Sequence, residues 1–284
     1  MSKRINYPKA FSLIELSIVI LIIGILVAGV TQSSRLVKQV KLMSARSLTL
    51  SSPVPTIKNL IAWYESTSEK SFNESEASDQ SLLSAWFDIN VQNSNKNNAT
   101  QTIDTNKPQY SFDDNTGLPI VKFTNLDFFN LPDGTVPFNN SPYTVFFVSQ
   151  PYVFGGGGIL GSGSYGTVNA TNAFRYDPSN GIFNYWFNVD LFLPNTSSLR
   201  KNNVISFIYD LAKREGYVDG LLKGSVASSN RASTAINNAI GSTYFVEYLN
   251  GAIGEIIIFD RALNTEERKS IESYLGKKWS IKIN

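Results

Sequence analysis

The chain has no cysteine and no histidine among its 284 residues. Disulfide staples and Cys/His zinc sites are therefore excluded, as are catalytic arrangements that need an imidazole base or a thiol nucleophile. Charge is sparse as well, at 17% of residues, and the formal net value is only +2, so bulk charge gives no footprint for nucleic acid. Paired carboxylates alternating along one strand, as retaining glycoside hydrolysis requires, are also missing, since no Glu-x-Asp-x-Glu run occurs and Glu247 and Glu255 stand eight apart around a turn. These absences point to a non-enzymatic chain held together by core burial.

Against this background one feature stands out. Lys9-Ala10-Phe11-Ser12-Leu13-Ile14-Glu15-Leu16 leads into an apolar run to Val30. From Phe11 to Ser34 the only charge is Glu15, and at about 1.5 Å per residue a helix of this length covers a hydrocarbon core of about 30 Å. A carboxylate at the centre of such a span would cost about 2.5–3.5 kcal/mol. Near the helix start the positive end of the macrodipole offsets part of that. A secretory signal peptide should have an unbroken apolar centre and a small-residue cleavage site after it, and Glu15 violates the first condition.

The segment resembles the N-terminus of type IV prepilins, the class that includes type IV pilins and type II secretion pseudopilins. The resemblance implies a basic leader (Lys3, Arg4, Lys9) cut by a prepilin peptidase between Ala10 and Phe11. It also implies N-methylation of Phe11 and a role for Glu15 in registering each subunit against other pilin subunits. The family more often has glycine where Ala10 stands. Loss of the leader removes three positive charges and leaves the mature chain near −1. The same resemblance places the leader in the cytoplasm and the chain as a single pass in the bacterial inner membrane before assembly, then in an extracellular filament or periplasmic pseudopilus. The basic residues Arg35, Lys38, Lys41 and Arg46 run against this orientation by the positive-inside rule, and read as a solvated or snorkelling helix face.

The helix should end near Leu50, because Pro53 and Pro55 cannot continue it. Short apolar and aromatic runs broken by Gly, Pro, Asn and Asp then predict an all-β sandwich. Strands are expected at 60–64, 120–123, 144–149, 181–193, 204–210, 215–218 and 252–259, with a hairpin turn at Asp219-Gly220. Asn264 and Glu267 form a capping-box pattern for a short helix carrying Ile271, Tyr274 and Leu275, expected at the sandwich rim. The predicted organisation is a leader (1–10), a pilin-type helix (11–52) and a sandwich (53–284). The fold class is mainly β: a long N-terminal helix, a two-sheet antiparallel jelly roll and a short C-terminal helix.

Residues 56–282 are similar to concanavalin A-like, laminin-G-like jelly-roll domains. The landmarks are Leu60-Ile61-Ala62-Trp63-Tyr64, Ala85-Trp86-Phe87-Asp88, Gly117–Phe123, Tyr143–Val148, Leu249–Leu263, and Tyr274-Leu275 with Trp279, Glu255 holding a position that looks structural. The fold hosts lectins, adhesins, hydrolases and structural modules, so the ligand must be argued from the site. No organic cofactor is implied. Domains of this kind sometimes bind calcium at a rim, for which Asp88, Asp113 and Asp114 are candidates. The ring-rich stretches around Tyr176 and 183–187 predict a sugar-stacking surface: with Phe183, Tyr185 and Phe187 in the core, Asn184 and Trp186 face outward. Gly155–Gly163 lacks the Lys-Ser/Thr of a phosphate loop and reads as a mobile connection.

Together these readings give a minor or tip filament subunit that displays a lectin-like domain for adhesion to a glycan or surface protein. The alternatives are a type II secretion pseudopilin and a pilin-anchored polysaccharide-active enzyme, the latter disfavoured by the missing carboxylate pair.

Overall fold

The computed structural model describes residues 13–124, 126–155, 157–227 and 230–284, with the backbone alone at 15 and 28–34. The fold divides into two units, one ending at Met43 and one running Ser44–Asn284. The first helix, α1, spans Leu13–Leu50 and stops three residues before Pro53, as the prolines require. Ala10 and Phe11 lie outside the described residues, and Glu15 lies on α1. Among the described residues, no helix is long and apolar enough to cross a membrane.

The second unit is a two-sheet sandwich. One sheet has eight antiparallel strands in the order 221–227, 213–218, 203–209, 143–151, 251–259, 119–123 and 109–112, with 60–65 sharing the far edge of 251–259. The other has ten, in the order 191–193, 182–185, 171–176, 158–163, 239–240, 129–130, 99–100 and 85–86, with 242–243 and 247–248 off this path. All pairings are antiparallel except that of Tyr248 with Gly158. The predicted strand at 181–193 splits into 182–185 and 191–193. The Gly-rich segment is also corrected: Gly158–Gly163 is a buried strand rather than a connection. Glycine is needed there because a Cβ on Gly161 would lie 2.8 Å from the Thr243 side chain. Asp219-Gly220 makes the predicted hairpin, both residues at positive φ (50° and 83°), the requirement of a type I′ turn.

The main core lies between the sheets and joins Val145, Phe147, Ile205, Phe207, Ile256 and Ile258 to Phe129, Leu160, Phe174 and Ile182. A second core lies on the other face of the eight-stranded sheet. There Phe146, Val148, Ala252, Ile257 and Phe259 meet Ile271, Tyr274, Leu275 and Trp279. The strands 143–151 and 251–259 are thus buried on both faces, which is why they carry consecutive apolar residues, Val145–Val148 and Ile256–Phe259, rather than a strict alternation. The second helix, α2 (Thr265–Trp279), starts at the expected capping box, Asn264 and Glu267 each accepting from the other's backbone N–H. It lies along the face of the sheet and not at the rim, because the outward side chains of 251–259 are apolar and need covering.

A bulge between Ile253 and Glu255 shifts the alternation of that strand by one, so that Glu255 faces α2. Its Oε1 accepts from Trp63 Nε1 (2.8 Å) and the Tyr274 hydroxyl (2.7 Å), and its Oε2 from Lys278 Nζ (2.9 Å) and Trp279 Nε1 (3.0 Å). Lys278 also donates to Glu65 Oε2 at 2.6 Å, and all three charged side chains are buried.

The boundary expected at residue 52 moves upstream. Ala45 is part of the second core, and Thr49 is buried within reach of the Tyr274 hydroxyl. Arg46 donates through Nε to the Thr67 carbonyl (2.8 Å) and pairs with Glu69 (2.5 Å), so its charge serves the head. A head fragment starting at Pro53 is accordingly expected to be less stable than one starting at Ser44, by about 1–3 kcal/mol for the exposed Ala45 and Thr49 pockets. Urea unfolding of the two fragments measures this, and equal midpoints would contradict it.

Candidate functional site

The strand Ile182–Tyr185 alternates in the sense opposite to that expected from its sequence. Ile182 and Asn184 point into the sandwich, whereas Phe183 and Tyr185 lie half-buried on the outer face of the ten-stranded sheet. Phe192, on the neighbouring strand, stacks on Phe183 with ring centres 4.4 Å apart and planes at 27°. The ladder continues edge-on through Tyr185 (5.9 Å from Phe183) to Phe187 (4.6 Å) and Tyr165 (5.1 Å), and Tyr244 lies tilted against Phe187 at 5.8 Å. Tyr165 is the most open of these, 60% exposed. Arg175 lies over the Tyr185 ring (5.7 Å) and pairs with Glu247 at 2.5 Å, whose other oxygen accepts from Thr243 Oγ1 at 2.6 Å. Burial, followed by the nearby Asp190 carboxylate, pushes the Tyr185 phenol up, so it stays a neutral donor across the physiological range.

Three bulky aromatic residues of this region hold left-handed backbone: Phe187 (φ 61°), Tyr244 (φ 59°) and Phe245 (φ 56°). Such conformations cost about 1–3 kcal/mol each for residues with a side chain and persist where surrounding structure enforces them. Phe187 is set by Asp190, whose Oδ1 accepts from the preceding backbone N–H of Trp186 at 2.6 Å. Of the three, Tyr244 is buried with its hydroxyl accepting from Thr171, while Phe187 and Phe245 are half-buried. Chemically the face offers flat apolar plates beside an ion pair, the combination that stacks a sugar ring and hydrogen-bonds its hydroxyls.

Comparison with known proteins locates the other functional element. The family model for the prokaryotic N-terminal methylation motif matches residues 5–31. The chain carries a type IV prepilin signal. The motif indicates a type IV pilin-like or pseudopilin subunit and implies processing by prepilin peptidase and assembly with other pilins. Among curated proteins, none matches the chain in sequence. Among solved structures, domain 4 of AbnA, a GH43 extracellular arabinanase from Geobacillus stearothermophilus solved with arabinotriose, aligns at 16% identity and TM-score 0.47, covering 75% of this chain and 97% of that one. The Ruminococcus gnavus IT-sialidase CBM40 aligns at 16% and 0.39, covering 45% and 81%. Trypanosoma rangeli sialidase aligns at 15% and 0.47, covering 81% and 34%. No residue role is taken from these alignments.

The residues expected to face a ligand are interior. Trp186 and Asn184 are fully buried and Tyr176 nearly so, which corrects their assignment to a binding surface. The reason is a polar network inside the sandwich. Asn184 Oδ1 accepts from the Tyr143 hydroxyl (2.6 Å) and Arg214 Nη1 (3.2 Å), and its Nδ2 donates to Asn172 Oδ1 (2.9 Å), which also accepts from Trp186 Nε1 (3.2 Å). The Arg214 guanidinium stacks 3.6 Å from the centre of the Trp186 ring. Arg231 is 5.4 Å from it, and burial pushes its guanidinium down to about 10. Tyr176 shares a hydrogen bond with Ser149 (2.7 Å). A polar strand position was thus an inner one, satisfied by partners distant in sequence.

The acids proposed for calcium are also accounted for. Asp88 Oδ1 accepts from the backbone N–H groups of Trp63 and Asn90 (both 2.9 Å) and its Oδ2 from that of Asn97 (3.1 Å). Asp113 Oδ2 accepts from Thr116 N and Oγ1, and its Oδ1 from Gln150 Nε2. Asp114 is exposed, 3.9 Å from Arg200. The three do not converge, and among the described residues no group of three acidic side chains able to hold a metal is present.

Proposed function

We propose that the protein is a minor or tip type IV pilin-like subunit whose head adheres to a glycan through the aromatic face of its ten-stranded sheet, and that it has no catalytic role. The prepilin signal mounts the chain in a filament. The ring ladder is the observation that carries the binding role, since Phe183, Tyr185, Phe187 and Tyr165 form one connected run of half-buried to exposed rings on the outer face of the sheet. The buried carboxylates support a non-enzymatic reading: Glu255 and Glu65 are bound to Lys278, and Glu272 to Arg268 and Ser206, all within the fold. In this reading the leader is cytoplasmic, residues 11–34 cross the inner membrane once before assembly, Phe11 is N-methylated after cleavage, and Glu15 registers the subunit in the filament.

The test is a glycan array probed with the head fragment Ser44–Asn284 and two variants. Tyr185→Ala is expected to weaken retention by about tenfold through loss of ring stacking. Phe187→Gly removes a ring from a position glycine occupies without strain, so retention should fall while the thermal midpoint is unchanged or higher. Absence of glycan retention by the unmodified head, or undiminished retention by both variants, would remove the support for adhesion through this face.

A further inference from the structure

A recess on a different part of the head, on the rim of the eight-stranded sheet, carries a second set of groups suited to a ligand. It encloses about 560 Å³ and is lined by Asn115, Lys201, Asn202, Asp219 and Lys282 among others. That volume lies within the range of small-molecule sites, about 300–1,000 Å³. The turn before strand 119–123, the approach to strand 203–209, the hairpin at 219–220 and the segment after α2 bring these residues together.

Asn202 is the unusual member. It is 6% exposed, and neither its Oδ1 nor its Nδ2 meets a protein partner. Its neighbour Asn203 donates through Nδ2 to Asp219 Oδ2 (2.8 Å) but leaves its Oδ1 unpartnered. Asp219 is fixed by that bond and by the Val204 backbone N–H, which it accepts at 2.9 Å. A buried amide with both atoms unpaired is destabilising unless something supplies a donor and an acceptor side by side. Two adjacent hydroxyls of a saccharide do this, one donating to Oδ1 and the other accepting from Nδ2. Lys201 and Lys282 line the same recess.

We infer that this recess binds a sugar acid, its vicinal hydroxyls paired with the Asn202 amide and its carboxylate held by Lys201 and Lys282. A peptide would match the amide too, but a recess of this volume lined by two lysines fits a compact anionic ring better than an extended chain. The site is separate from the aromatic face and does not depend on it.

Calorimetric titration of the full chain in detergent micelles with glucuronate, galacturonate, glucose and a Glu-Glu dipeptide tests the assignment. Either uronate should bind, and at least tenfold more tightly than glucose, about the effect of one charge-assisted contact. Asn202→Ala should weaken uronate binding by about tenfold while leaving the thermal midpoint unchanged or raised, because an unpaired buried amide is removed. A structural role for Asn202 would lower that midpoint instead. Lys282→Gln should lessen the preference for the acid over glucose. Tyr185→Ala should leave uronate binding intact, which separates this site from the aromatic face. No uronate binding, tighter binding of the dipeptide, or undiminished binding by the Asn202 variant would overturn the proposal.

Discussion

Replacing Lys278 with methionine is expected to destabilise the head by about 3–5 kcal/mol, because it leaves the carboxylates of Glu65 and Glu255 buried without their cation. For a domain of this size that lowers Tm by about 6–20 °C, which calorimetry or urea unfolding of the Ser44–Asn284 fragment reads directly. The comparison that isolates the charge effect adds Glu65→Gln and Glu255→Gln to the same protein. A glutamine at 255 keeps one oxygen, which can still accept from the Trp63 indole, but its amide nitrogen then meets the Trp279 indole as a second donor, so the combined variant should recover only part of the loss. A single variant as stable as the parent would show that the cluster contributes little.

The cluster also fixes an alkaline limit. Burial is the largest influence on Lys278 and pushes its ammonium down, but Glu255 and Glu65 together outweigh it, so the group sits above its ordinary 10.5. A group that holds its proton more tightly when folded contributes its full stability below its unfolded value and loses it as pH rises through the folded one. Stability should therefore be insensitive to this lysine through neutral pH and decline above about 10.5. The Tyr274 phenol, pushed up by burial and by Glu255, adds a slope of the same sign and remains in the methionine variant. The variant should show a shallower alkaline decline, not a flat one.

Much of this cluster was legible as sequence landmarks without being legible as chemistry. Trp63, Glu255, Tyr274 and Trp279 each stand in a run that marks the jelly roll, and the structure brings the other three onto the Glu255 carboxylate. The capping box at Asn264 and the turn at Asp219-Gly220 were readable because local chemistry specifies them. The facing of strand 182–185 was not. Period-two alternation gives two faces but does not say which is inside, and the rule that rings go inward chose wrongly. Asn184 sits inside because Tyr143, Asn172 and Arg214 satisfy it, partners that no local pattern reveals. The same holds for Gly158–Gly163, a strand whose lack of side chains reflects the close approach of Thr243. Asn202 carries no sequence signal, since an unpaired amide is defined only by what surrounds it.

Glu15→Ala is expected to leave cleavage between Ala10 and Phe11 intact while reducing incorporation into filaments to background. Cleavage depends on the leader and its junction, both upstream of Glu15. Cleavage there would create a charged amino terminus at Phe11, four residues before Glu15 in the sequence. Both charges then belong to an apolar segment, where water screens them little and an attraction between opposite charges on adjacent subunits is far stronger than at a surface. A carboxylate that is costly in hydrocarbon becomes favourable once a neighbour's amino terminus reaches it, so its value lies in assembly and not in the isolated subunit. Glu15→Gln keeps the shape and hydrogen-bonding capacity but not the charge, and should fail like alanine if attraction is the basis, whereas Glu15→Asp should retain partial incorporation. Mass measurement of the processed chain reports cleavage, and immunoblotting of sheared filaments reports incorporation. Normal incorporation of the alanine variant would remove the registry role. Failure of all three variants, with cleavage intact, would mean that the position demands the reach of a glutamate as well as its charge.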